Sequence, residues 1–301
     1  MIGPRAGRPL VTGIGSLPFA SVEEAIRFVE ETSPLLPYFP QLPNRSTGEL
    51  MLAQLVDGND AVASLSRDDA IATLISEPSM PQHSFSAWLA FLAALDAGAF
   101  PHATAIKSQV VGPITGGRWL AAGRGIEEEI ADRVVRLALI QIAELKRRSA
   151  RVILQLDEPG LSDATHTERA RLARAVSTLR DAGAITMIHC CARLEEDSAF
   201  FAAGADILSF DAMLNPPETP LVATFARHLK AGGTIAWGLA PTGPRQDGEG
   251  DACLAAATAW HDAMARAGHT MAGLATPACG LANCGSGERA AQIMELCRVE
   301  R

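Results

Sequence analysis

The stretch Ile185-Thr186-Met187-Ile188-His189-Cys190-Cys191 is an apolar run that stops at an imidazole and two thiols. Residues 184–188 are short, apolar and rich in β-favouring side chains, and a charged segment follows at 193–197. The run therefore reads as a buried strand whose carboxyl end carries the polar groups. Side chains alternate across a strand, so His189 and Cys191 project to one side and Cys190 to the other. A borderline nitrogen donor beside a soft sulfur donor suits zinc. Two further donors stand at equivalent points, just past short apolar runs: Asp211 after residues 205–210, and Cys279 after residues 271–275. Alone, a strand-end Cys is an ordinary small core residue, and a lone His a hydrogen-bonded structural group. Four donors at matching points of a repeating unit favour a metal site built from His189, Cys191, Cys279 and Asp211.

Working outward, the chain alternates strand and helix. Strands are expected at 10–14, 35–39, 104–111, 152–156, 184–188, 206–210, 234–239 and 270–275. Helices are expected at 126–149, from about 167 to 181, and at 195–203, 219–231, 251–267 and 287–297; Ser21 caps an earlier one with Glu23 and Glu24 in its first turn. Continuous apolar strands alternating with helices predict a parallel sheet covered by helices, and eight such units favour a (β/α)8 TIM barrel over an open sheet. Residues 57–102 carry helical signals broken by Pro78 and Pro81, with no strand evident. They read as a helical insertion between strands 2 and 3 of a single domain spanning 1–301. In such a barrel every strand's carboxyl end opens on one mouth, so Asp157, Glu158, His189, Cys191, Asp211 and Cys279 would share it. Asp157 and Glu158, at a strand end, are the candidate catalytic carboxylates. Lys107 and Gln109 point the same way from the third strand, either to bind substrate or to bond each other.

Composition narrows the function. The chain has 301 residues, 48% hydrophobic and 20% charged, which is enough apolar content for a sizeable core. A net charge of −8 without a Lys/Arg run argues against nucleic acid, because phosphate binding demands a basic face. Lys146-Arg147-Arg148 reads as a solvated helix end. No uncharged stretch is long enough to span a bilayer, and the start, Met1 to Arg5, lacks the apolar core of a secretory signal, so a cytoplasmic location is expected. The six cysteines should then be reduced, serving as ligands or packing, with Cys253 and Cys297 in helical patterns.

Taken together, these motifs resemble the C-terminal catalytic barrel of cobalamin-independent methionine synthase, within the superfamily that includes uroporphyrinogen decarboxylase and methanogen-type methyltransferases. Thr12-Gly13-Ile14-Gly15-Ser16-Leu17-Pro18 is similar to that family's Ile-Gly-Ser-Phe-Pro motif, and Val111-Gly112-Pro113-Ile114-Thr115 to its Gly-Pro-Val-Thr segment. Gln155-Leu156-Asp157-Glu158-Pro159 matches Gln-Ile-Asp-Glu-Pro, His189-x-Cys191 the zinc-binding His-x-Cys, and Pro277-Ala278-Cys279-Gly280-Leu281 the last zinc cysteine. The resemblance runs in order along nearly the whole chain. It implies Zn2+ on His189, Cys191 and Cys279, with Asp211 where the family has a Glu. It also implies a homocysteine carboxylate on the Ile14-Gly15-Ser16 turn and an ammonium on Asp157 or a neighbouring carboxylate.

Three departures matter. The long N-terminal duplicate barrel of that enzyme is not expected here. The family's Gly-Glu-x-Glu-Arg stretch is replaced by Gln41-Leu42-Pro43-Asn44-Arg45, which loses an acidic contact. The His of the family's Asp-x-His-Ser-x-Arg stretch, implied as proton donor to the leaving folate, is Thr242 here, in Pro241-Thr242-Gly243-Pro244-Arg245. A methylcorrinoid needs no such acid, because Co(I) leaves as a stable ion. The expectation is therefore zinc-dependent methyl transfer to homocysteine or a similar small thiol, with a methylcorrinoid or corrinoid protein as donor rather than methyltetrahydrofolate. Asp247 or His102 could supply the acid for a folate donor instead. Alternatives are transfer to another thiol such as coenzyme M, and a non-catalytic zinc-binding barrel.

Overall fold

The structure, a computed structural model, describes residues 10–58, 65–121, 123–161 and 163–298. Seven parallel strands form one curled sheet: β1 (Leu10–Val11), β2 (Ile106–Val111), β3 (Val152–Asp157), β4 (Ile185–Cys190), β5 (Ile207–Asp211), β6 (Thr234–Ala240) and β7 (Leu274–Pro277). Their order is β1-β7-β6-β5-β4-β3-β2. The helices are α1 (Val22–Thr32), α2 (Met51–Leu55), α3 (Arg67–Ile75), α4 (Ser86–Asp96), α5 (Pro113–Gly116), α6 (Glu127–Lys146), α7 (His166–Asp181), α8 (Ala199–Ala202), α9 (Thr219–Lys230), α10 (Glu249–Arg266) and α11 (Gly287–Leu296).

The second expected strand is not one. Residues 35–41 lie between the two sheet edges and touch both through isolated parallel bridges, Tyr38 with Lys107 and Gln41 with Ser16. On one side the Phe39 amide donates to the Lys107 carbonyl at 2.9 Å; on the other the Gln41 amide donates to that of Gly15 at 3.0 Å. Pro37 and Pro40 have no N–H to extend either ladder, which is why the segment stays irregular. Gly13 is required where this segment crosses β1, because a Cβ there would lie 2.2 Å from the Tyr38 ring.

Inside the sheet, Leu10, Leu36, Ala105, Ile153, Met187, Ile207, Ala236 and Leu274 form an apolar cluster separate from the main core. They come from the seven strands or their edges and the irregular segment, one from each, which is the packing that plugs a barrel and is consistent with a TIM-like fold. Two residues further along, the inward faces become polar, with Thr12, Tyr38, Lys107, Gln155, His189, Ser209 and Thr276 all buried. Outside, Phe210 and Trp237 pack with Phe225 and Trp260 of α9 and α10, at centroid separations of 4.5 Å for Phe210–Phe225 and 5.4 Å for Trp237–Trp260.

The expected helix at 195–203 shrinks to α8, because the chain before it is held elsewhere: the Leu194 amide donates to Asn215 Oδ1 at 2.7 Å. In the 57–102 segment, α4 packs on α1 and α3 on α6, while residues 59–64, like Met1 to Arg5, lie outside the described residues. Among the described residues, no helix is long and apolar enough to cross a membrane.

Candidate metal centre

His189 is the penultimate residue of β4, and Cys191 follows that strand's end. Cys279 lies two residues past β7, where the Ala278 amide donates to the Ala240 carbonyl at 2.8 Å and ties the turn to β6. One ligand atom from each of these three residues lies within 4.8 Å of the other two. Cys190 faces the opposite way into the outer core, where burial pushes its thiol up to about 11.

The three donors are prepared differently. His189 is opposite Ser209 in the β4–β5 register, and its Nδ1 shares a hydrogen bond with Ser209 Oγ at 3.0 Å. Its Nε2 is buried with no hydrogen-bond partner. An orphaned buried polar atom of this kind costs about 1–3 kcal/mol unless something engages it. The Cys191 thiol donates toward Cys279, which raises its own pKa, while that bond and His189 lower that of Cys279 against the opposing effect of burial. One nitrogen and two sulfurs fit zinc with a position left for an exchangeable ligand.

Asp211, expected as a fourth donor, stands outside this group of three. Its Oδ1 accepts from the Met213 and Leu214 amides, both at 2.9 Å, so it caps the turn that follows β5. Burial raises its pKa, an effect those amide bonds and the nearby His189 oppose.

The three donors open into a cavity of about 330 Å3 whose wall also includes Ile14, Ser16, Gln41, Pro43, Glu49, Leu50, Met51 and Asp157. A larger outer groove of about 630 Å3, beside Arg180, Asp206 and Arg227, gathers no such donor set among the described residues. Asp157 ends β3, buried, with Oδ1 accepting from Gln155 Nε2 at 2.5 Å. Burial pushes it up to about 6, against the pull of His189 and Lys107.

Glu158 does not line the cavity. It faces away from it, and its carboxylate accepts from the Ile114 amide at 2.9 Å, the Thr115 amide at 2.8 Å and the Thr115 hydroxyl at 2.6 Å, which caps α5. A Cβ on Gly112 would sit 2.3 Å from Glu158 Cδ, so only glycine admits this contact. Burial raises Glu158 to about 7. Lys107 and Gln109 also stand behind the wall: Lys107 Nζ donates to the Ile14 carbonyl at 2.6 Å and to Gln109 Oε1 at 3.1 Å, and Gln109 Nε2 donates to the Phe39 carbonyl at 2.8 Å.

Two residues escaped the sequence reading. Ser209, two before Asp211 on the same strand face, was detectable once β5 was aligned with β4. Glu49 sits in a short 3-10 turn (Thr47–Glu49) without periodic signal. It is buried, its Oε2 accepts from the Leu42 amide at 3.3 Å, and its Oε1 has no hydrogen-bond partner. An acid therefore faces the cavity just after the Gln41–Arg45 stretch where an acidic contact was expected to be lost, with Arg45 Nε 3.9 Å from its Oε1. His102, offered as a substitute acid, precedes β2 and so lies at the opposite end of the sheet from the mouth, whereas Asp247 follows β6 at the mouth end and is exposed.

No protein-family profile and no curated protein matches this chain. Among solved structures it is similar to a B12-independent methionine synthase from Shewanella sp. W3-18-1, in complex with selenomethionine. The likeness has 16% identity and a TM-score of 0.47, and it covers 69% of this chain and 64% of that one. The chain thus spans less than two thirds of that protein's length.

Proposed function

We propose that this chain is a zinc-dependent methyltransferase that forms methionine by moving a methyl group onto the thiol of homocysteine, with a methylcorrinoid, free or on a corrinoid protein, as donor. The observation that carries the reading is the convergence of His189, Cys191 and Cys279 on one cavity, with a buried, unpartnered His189 Nε2 among them. Held by these three residues, zinc would keep an acceptor thiol, ordinarily of pKa about 8.5, ionised at neutral pH. Ser209 holds the imidazole through Nδ1, which leaves Nε2 for the cavity. Asp157 and Glu49 are the carboxylates that line it, placed to take the acceptor's ammonium. The Ile14 to Ser16 turn supplies backbone amides for its carboxylate. Pro43, Leu50 and Met51 close part of the wall with apolar surface and limit water.

The donor assignment rests on proton supply. Expelling a folate nitrogen requires an acid, and Thr242 offers none. A departing Co(I) requires no proton, so the residues present suffice for a corrinoid donor. The test is metal analysis of the purified protein followed by methionine formation from homocysteine with methylcobalamin and methyltetrahydrofolate in parallel. Product from methylcobalamin alone supports the proposal, and product from methyltetrahydrofolate overturns the donor. Bound zinc whose absorption spectrum ignores added homocysteine would mark a non-catalytic barrel.

A further inference from the structure

Lys107 is fully buried inside the sheet, behind the wall of the cavity. A buried lysine is costly unless its donors find acceptors, and burial brings it down to about 7, against the pull of Asp157. Its Nζ spends one donor on Gln109 Oε1 and another, at 2.6 Å, on the carbonyl of Ile14. That same carbonyl accepts from Gln155 Nε2 at 3.0 Å, and Gln155 Nε2 lies 2.5 Å from Asp157 Oδ1. Two side chains on neighbouring strands therefore grip one peptide of the turn after β1.

The peptide is planar and trans, so fixing the Ile14 carbonyl toward the interior layer turns the Gly15 N–H away from it. Downstream, the Gly15 carbonyl accepts from the Gln41 amide and the Ser16 carbonyl from the Leu281 amide, at 3.0 and 2.8 Å. Among the described residues, neither the Gly15 nor the Ser16 amide donates to a backbone carbonyl. Ile14 and Ser16 line the cavity, so the uncommitted backbone donors of this turn lie at its wall, where an anion would find partners.

We infer that Lys107 is a positioning residue: with Gln155 it locks the Ile14 carbonyl so that the Gly15 and Ser16 amides face the carboxylate of an amino-acid acceptor, and couples that turn to Asp157. The inference rests on the proposed homocysteine acceptor and predicts a thiol substrate that carries a carboxylate. A lysine that merely filled the interior would affect the metal donors and the head-group turn alike.

The test uses the full chain and separates the two. Calorimetric titration with methionine, which carries the head group without a thiol, is run on wild type, Lys107→Met and Lys107→Arg. Titration of the cobalt-loaded proteins with propane-1-thiol, followed by the sulfur-to-cobalt absorption band, reports on the metal donors alone. The expected result is methionine binding weakened about tenfold or more in Lys107→Met, partly restored in Lys107→Arg, with the propane-1-thiol response unchanged. Equal methionine affinity in all three proteins, no methionine binding by wild type, or parallel loss of both responses would overturn it. Wild type that takes methionine but shows no thiol-dependent band would instead sink the methyltransferase reading and leave the role of Lys107 in head-group binding standing.

Discussion

A single hydroxyl decides which imidazole nitrogen faces the cavity. Ser209 Oγ occupies His189 Nδ1, so the neutral ring presents Nε2 as its lone pair only while Nδ1 carries the proton. Replacing Ser209 by Ala should therefore lower zinc affinity about 10- to 100-fold without loss of fold, measured by competition with a chromophoric chelator. Asp211 gives the contrasting case. With Oδ1 committed to two backbone amides, Asp211→Ala is expected to cost about 1 kcal/mol of stability, read from urea unfolding, while zinc stoichiometry stays at its wild-type value. Loss of the metal in that variant would make Asp211 a ligand after all.

At the scale of elements, Glu158 joins β3 to the start of α5 and thereby fixes the loop after β2. Its folded pKa of about 7 lies above the ordinary 4.5, so its contribution to stability is fully present below about 4.5 and lost as pH rises through 7. Glu158→Gln cannot ionise. The stability advantage of wild type over this variant should accordingly shrink between pH 5 and pH 7, in urea unfolding at the two pH values. An advantage that grows with pH would mean the amide bonds, rather than burial, set the ionisation of Glu158.

At the scale of the whole molecule, donors from β4 and β7 meet because the curled sheet holds their ends together, not because they are near in the chain. On the proposed zinc-dependent reading, chelation should thus abolish methyl transfer and be reversed by zinc, with the far-ultraviolet circular dichroism unchanged. The apolar plug beneath the site is what holds the ends in place. Ile153→Ala, at a fully buried plug position, is expected to cost about 2–5 kcal/mol, seen as a lower urea midpoint. The same variant should bind zinc more weakly than wild type if the plug sets the spacing of the strand ends.

The strand and helix alternation from residue 104 onward was legible in the chain, because buried parallel strands are short apolar runs and their helices carry period and caps. Position at a strand's end followed from the same runs, which is why His189, Cys191 and Cys279 could be named together. Tertiary structure alone decided the rest. Pro37 and Pro40 left a stave with two bridges where a strand was expected, since closure depends on the edges on either side as much as on local propensity. Asp157 and Glu158, adjacent in sequence, part to opposite sides, and only the three donors around the Glu158 carboxylate reveal its capping role. Ser209, Glu49 and Lys107 acquire meaning through partners far away in the chain, and hydrogen bonds between distant residues leave no periodic trace in a sequence.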